Sequence, residues 1–266
     1  MFCLSVWFEC EVVYVTSFFN FGSVLKKSKN DQCNLQLLPI LTQTEYTSKI
    51  PYQTNNGLML PLVGFQTNFS LGFYAKLGIL SIQLYPNLFR GLNQEIEGYS
   101  NINKVDWGQS QIALSHKAFT LSLSNQNMWW GPSKNNALIM SNNAAGFKHI
   151  SFKSRRPVDI FIGHLEWELI GGILENSLNT SHYPYQGYTS RPFSGYANQD
   201  VRYLNGISIS YQPKWVPGLF LGINRGVQMY RQTLYDYNEF LPVYGKLFRG
   251  GDEDVGTDGQ ISITTR

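Results

Sequence analysis

Glu166 and Glu168 stand two residues apart in a stretch that alternates polar and apolar side chains, HLEWEL. On a strand that spacing puts both carboxylates on one face with about 7 Å between their Cα atoms, which either hydrolytic geometry of a glycosidase could use. A pair on one strand face is more often structural, and no motif brings a further acidic residue to it. A β-rich glycoside hydrolase therefore ranks behind the binding readings, and the expectation is that the chain is not an enzyme.

A second constellation fills residues 129–147, WWGPSKNNALIMSNNAAGF, with Trp129 and Trp130, a Gly-Pro turn, and Asn135, Asn136, Asn142 and Asn143 but no acidic residue. An indole face matches the apolar C–H face of a pyranose, and amides donate to and accept from hydroxyls. The same tryptophans would serve at a membrane-interface girdle or buried in a wall. Asn135 and Asn136 read as turn formers, while Ser141, Asn142 and Asn143 suit structure and ligand contact equally. Arg155 and Arg156, ahead of Pro157, could grip sugar carboxylates bidentately or pair with Glu166 or Glu168. Tyr183, Tyr185, Tyr188 and Arg191, followed by Phe193 and Tyr196, have the aromatic and polar mix of a carbohydrate surface or of a loop that packs on itself. His116, His149, His164 and His182 lack ligand spacing, so neither metal nor cofactor is expected.

The elements that must carry these residues are strands. Tyr, Phe and Trp number 16, 17 and 6, beside 24 Gly, while helix-forming residues are scarce. No run of 18 apolar residues follows the N-terminus, which excludes a helical membrane protein but not a membrane barrel, whose strands alternate. A formal net charge of +3 with scattered Lys and Arg argues against nucleic acid. Cys3, Cys10 and Cys33 all lie early and give no disulfide framework.

Alternation is clearest over residues 63–77. Phe65, Thr67, Phe69, Leu71, Phe73 and Ala75 share one face, and Gln66, Asn68, Ser70, Gly72, Tyr74 and Lys76 the other. This predicts one strand of about twelve residues, long enough to cross a bilayer when tilted. Residues 112–123 and 159–169 repeat the pattern, residues 203–212 and 219–230 form a hairpin around 213–218, and residues 260–265 begin another strand. Residues 93–106, 175–200 and 236–259 read as long polar loops, which opposed to short turns point to an outer-membrane barrel.

Trp-Trp-Gly-Pro at 129–132, the Leu138-Ile139 step and Ser141-Asn142-Asn143-Ala144 together resemble the signature of the Wzi capsule assembly family. Leu37-Leu38-Pro39, Pro51-Tyr52, Asn56-Gly57, Gly64-Phe65-Gln66-Thr67, residues 72–78 and residues 80–84 are similar to the first barrel strands of Wzi-like proteins from the Bacteroidetes. The resemblance implies an all-β, antiparallel outer-membrane barrel of about eighteen strands, closed by a periplasmic helical plug. It also implies a lectin-like, non-enzymatic role: binding capsular or exopolysaccharide and attaching it to the cell surface. Capsular glycan, outer-membrane lipid and the capsule export machinery would be the partners, and Trp129, Trp130, Ser141, Asn142, Asn143, Arg155, Arg156, Tyr183, Tyr185, Tyr188 and Arg191 the candidate glycan contacts. A porin or transport channel is the alternative that shares every strand-level feature.

Residues 1–35 form an atypical N-terminal segment: apolar, but with Glu9 and Glu11 inside and no small-x-small cleavage site, so a poor signal peptide. Residues 36–266 form the barrel domain. At roughly 20 to 25 residues per strand with its connection they supply about nine to eleven strands, roughly half a barrel. The expectation is therefore a partial chain, since an open half-barrel would leave unpaired edges in lipid.

Overall fold

In chain order the strands begin with β1 (Phe2–Glu9), β2 (Val12–Phe19), β3 (Val24–Lys27), β4 (Cys33–Leu37), β5 (Ile40–Thr47) and β6 (Gly64–Ser70). They continue as β7 (Phe73–Leu77), β8 (Leu80–Leu84), β9 (Asn87–Asn93), β10 (Ile102–Asp106), β11 (Gln111–His116) and β12 (Phe119–Ser124). The last are β13 (Lys148–Ser154), β14 (Val158–Ile160), β15 (Gly163–Leu174), β16 (Arg202–Pro213), β17 (Leu221–Tyr230) and β18 (Thr257–Thr265). The structure, a computed structural model, describes residues 2–9, 12–19, 24–27, 33–49, 57–60, 63–93, 102–135, 137–174, 202–230 and 257–266, with side chains from Asn34 onward. Among the described residues there is no helix, and the strands pair antiparallel into a six-stranded sheet, β1-β2-β5-β6-β9-β10, and a larger one. The larger sheet runs β18-β17-β16-β15-β13-β12-β11-β8-β7-β4-β3, with β14 on β15. The described strands do not close into a barrel.

The two sheets meet along a corner where successive strands bend from one into the other. β4 passes into β5, β6 into β7, β8 into β9 and β10 into β11, with each partner in the neighbouring sheet. This corrects the single strand expected over residues 63–77, which breaks at Leu71-Gly72. The reason is local: a Cβ on Gly72 would overlap the Leu84 carbonyl, and one on Gly108, at φ +56°, would overlap that of Tyr85. Glycine lets neighbouring chains close at such a bend. The bend is pinned by Leu38 N–H to Gly72 O at 2.9 Å, the Tyr85 hydroxyl to Pro39 O at 2.7 Å and the Ser70 hydroxyl to Asn87 Oδ1 at 2.6 Å. Gly72→Val should therefore cost about 1–3 kcal/mol by overpacking, read as a lower denaturant midpoint on refolding.

The expected segments at 112–123 and 159–169 also divide. β11 and β12 turn at Lys117-Ala118, and β14 and β15 at Phe161-Ile162. β5 to β18 all lie within residues 36–266, more strands than the nine to eleven expected, because several are only about five residues long. The hairpin of β16 and β17 and the last strand, β18, fall where alternation placed them.

Burial is inverted relative to a water-soluble sheet. On β12 Thr120, Ser122 and Ser124 are buried while Phe119, Leu121 and Leu123 are exposed, Leu123 at 58%. On β18 Ser262 is buried and Ile261 and Ile263 are exposed; on β6 Gln66, Asn68 and Ser70 are buried and Phe65 is exposed. The faces are those that alternation assigned, and the polar one is covered.

The connections are equally asymmetric. Ser115 N–H bonds Ile79 O, Arg155 N–H bonds Ala118 O and Lys214 N–H bonds Ile162 O, at 2.8, 2.7 and 3.1 Å. These bonds stitch the short turns together at one end of the sheet. Residues 125–147 leave from the other, the end at which β15 stops and β16 begins.

Candidate functional site

Residues 125–147 join β12 to its hairpin neighbour β13, yet they do not close as a turn. They run inward across the polar face. The registers Thr120↔Lys153, Lys153↔Glu168, Glu168↔Ser208, Ser208↔Asn224 and Asn224↔Ser262 set one transverse row of polar side chains over β12, β13, β15, β16, β17 and β18. Within it the Lys153 ammonium lies 3.5 Å from the Glu168 carboxylate, the Ser208 hydroxyl donates to Asn224 Oδ1 at 2.6 Å, and Asn224 Nδ2 donates to Ser262 Oγ at 3.2 Å. Ser115 and Thr120 extend the row to β11 through hydroxyls 3.0 Å apart. In the next row the Ser122 and Ser151 hydroxyls meet at 2.7 Å.

The inward loop docks on this surface where side chains are missing. Gly206 and Gly226 face each other across β16 and β17. A Cβ on Gly206 would come within 2.7 Å of the Trp130 ring, and one on Gly226 within 3.2 Å of Ile139. Trp130 is only 4% exposed and its indole N–H donates to Glu168 Oε2 at 3.0 Å. Gly131 reaches Thr264, about 20 Å by strand rise from where β12 ends. The chain returns past Ile139, and Asn127 Nδ2 donates to Ala144 O at 2.7 Å.

A second segment backs the loop. Gly57 N–H bonds Asn142 O at 2.9 Å, and Leu58, Met59 and Phe89 form an apolar cluster against which Ala145 packs. Gln66, fully buried, holds the Leu60 amide at 2.9 Å and the Leu60 carbonyl at 2.6 Å with its side-chain amide.

Between the loop tip and the strands is a cavity of about 400 Å³ lined by Trp129, Trp130, Lys153, Glu166, Glu168, Ser208, Ser210, Asn224, Thr264 and Arg266 among others. The two tryptophans that the loop brings to it differ. Trp130 is an anchor, wedged on Gly206 and bonded to Glu168. Trp129 keeps its indole N–H on its own loop, at Ser133 O, 2.7 Å away, and is 36% exposed. The two carboxylates differ as well, since Glu168 holds Lys153 and Trp130 while Glu166 is exposed.

Of the other sequence candidates, Ser141, Asn142, Asn143, Arg155 and Arg156 do not line this cavity. Ser141 Oγ accepts the Asn143 N–H at 3.2 Å in a local turn, and the Asn142 carbonyl takes the Gly57 amide. This trio shapes the loop's return. Arg155 and Arg156 are exposed in the turn after β13, and the ion pair to Glu168 comes from Lys153 instead. Tyr183, Tyr185, Tyr188 and Arg191 lie outside the described residues, as does Asn136. Lys153, Ser208 and Asn224 were not singled out by sequence. Their signal is simply polar alternation on strands, which does not say which polar residues share a row. Among the described residues no group of His, Cys, Asp and Glu is arranged to hold a metal ion.

Comparison with known proteins gives one match. The family model described as "Capsule assembly protein Wzi" matches residues 19–230, most of the chain, starting inside the N-terminal segment and ending before β18. No curated protein and no solved structure matches.

Proposed function

Since the chain belongs to the Wzi capsule assembly family, we propose that it is an outer-membrane β-barrel protein that binds capsular or surface polysaccharide and attaches it to the cell surface without turning it over. The observation that carries the membrane part is the inverted burial: exposed Leu, Ile and Phe on the outer face of β6, β11, β12, β13, β17 and β18, with buried Ser, Thr, Asn and Gln on the opposite face of this region. In water such a face would be a large unpaid apolar surface, whereas in lipid it is the ordinary barrel exterior. β15, β16 and β17, at 12, 12 and 10 residues, are long enough to cross a bilayer when tilted. Exposed aromatics gather at the short-turn end. Phe119 lies 5.9 Å from Phe152 and 5.8 Å from Trp167 between ring centroids, and Phe161, Trp215 and Phe220 are exposed in or beside the turns. Such rings suit the headgroup level, and short turns belong to the periplasmic side of such barrels, with long loops outside.

The binding part rests on the inward loop and its cavity, which give the polar face a concave, aromatic-lined site. Outer-membrane lipid and the capsule export machinery are the partners this reading adds. A non-hydrolytic role is favoured by Glu168, which is engaged by Lys153 and Trp130 rather than free to exchange a proton with Glu166. A loop laid across the polar face also favours binding over an open channel. The test is deletion of the gene followed by complementation: cells lacking the protein should shed capsule into the medium while synthesising normal amounts, and complementation should restore retention. Unchanged cell-associated capsule would overturn the proposal, and large steady conductance in planar bilayers would favour the channel.

A further inference from the structure

We propose that the cavity between Trp129 and Glu166 binds a neutral pyranose segment of the glycan, with Trp129 as the stacking platform and Glu166 as the acceptor for ring hydroxyls. This rests on the glycan-holding reading above and narrows it to a site and a ligand class. Five observations converge on it.

Trp129 offers an exposed ring whose N–H is already satisfied at Ser133 O, so what remains for a ligand is its apolar face, the surface a sugar ring stacks on. Glu166 is exposed, lines the cavity, and makes no ion pair among the described residues. A carboxylate in that state accepts from two neighbouring hydroxyls and supplies charge-assisted hydrogen bonds. Ser210 stands opposite Glu166 in register, followed by Gly222 and Thr264, and Ser208 lines the same space. These hydroxyls donate and accept, as sugar hydroxyls do.

Charge decides the class. The cavity holds the carboxylates of Glu166 and Glu168 and the cations of Lys153 and Arg266, and Lys153 is taken up by Glu168 at 3.5 Å. The cavity therefore presents no excess of positive charge to a uronate, and Glu166 repels one placed over Trp129. Arg155 and Arg156, the pair suited to carboxylates, do not line it. A volume of about 400 Å³ is near the lower end of the roughly 300–1,000 Å³ of small-molecule sites, which fits a short segment of sugar rather than a long run of chain.

The experiment uses the full-length protein in detergent micelles and the capsular polysaccharide of the producing strain, intact and after partial acid hydrolysis into neutral and acidic oligosaccharides separated by anion exchange. Binding is followed by tryptophan fluorescence and calorimetry. The neutral fraction should bind. Glu166→Ala and Trp129→Ala should each weaken it about tenfold, the size of one lost charge-assisted hydrogen bond or one lost stacking face. Glu166→Gln, which keeps an acceptor and the shape, should recover part of the loss, and Lys117→Gly, in the β11–β12 turn and outside the cavity lining, should leave affinity unchanged. Retained heat-modifiable mobility shows that each variant is folded. Binding of the acidic fraction alone, or neutral binding indifferent to the Glu166 and Trp129 variants, overturns this site and leaves the glycan-holding reading standing. Failure of the wild-type protein to bind even the intact polysaccharide overturns both.

Discussion

An arginine in place of Leu121 is expected to destabilise the protein in lipid by about 1–3 kcal/mol, between the cost of a charge at the bilayer midplane and at the interface, because Leu121 stands on the lipid face two residues from Phe119. Leu121 sits centrally on β12, 49% exposed between the outward Phe119 and Leu123. On a water-soluble sheet the same substitution would fall within about 0.5 kcal/mol, since exposed surface positions tolerate charge. The two environments therefore predict different results from one variant. The measurement is reversible denaturant unfolding in vesicles of Leu121→Arg against Leu121→Ala. Equal midpoints would remove the lipid from the outer face and the membrane part of the proposal with it.

The second large effect is expected at Gly206. Valine there must displace the Trp130 ring, which stands within 2.7 Å of any Cβ and is backed by the Glu168 hydrogen bond. Two outcomes compete: overpacking of about 1–3 kcal/mol if the loop stays, or loss of most of the roughly 3–5 kcal/mol of a buried tryptophan if it leaves. The system takes the cheaper route, so the net loss should be about 1–3 kcal/mol. Departure of the loop would add a red shift of tryptophan emission and faster proteolysis within residues 129–140. A Gly206→Ala variant should show a smaller version of the same changes. Unaltered emission and stability in the valine variant would mean that Trp130 does not rest on β16.

How much of this was legible in the sequence follows from what alternation can and cannot encode. The faces of residues 63–77 were readable, because period-two spacing directly assigns side chains to opposite sides of a strand. The break at Gly72 was not, because it arises from the Leu84 carbonyl of another strand and leaves no mark on the periodicity. The aromatic and asparagine-rich segment was recognisable as a family signature, but its residues do different jobs that composition cannot separate. Trp130 anchors, Trp129 faces the cavity, and the Ser141 to Asn143 turn contacts the Gly57 segment. Arg155 and Arg156 looked like the partners of Glu168 because they are the obvious nearby cations. Register gave that role to Lys153, two positions earlier, whose side chain falls on the same row as Glu168.

The transverse row from Thr120 to Ser262 also bears on how the chain finds its fold. A sheet with an apolar exterior in lipid gains little from sliding one strand past its neighbour by two residues, since one aliphatic side chain replaces another at equal exposure. The row removes that degeneracy. Sliding β16 by two residues along β15 would set Gly206 or Ser210 opposite Glu168 in place of Ser208, break the Ser208 to Asn224 bond, and carry the Gly206 notch out from under Trp130. The polar interior thus acts as a vernier: it discriminates among alignments that the greasy face would accept alike, and the inward loop can seat only when every strand beneath it has stopped at the same mark.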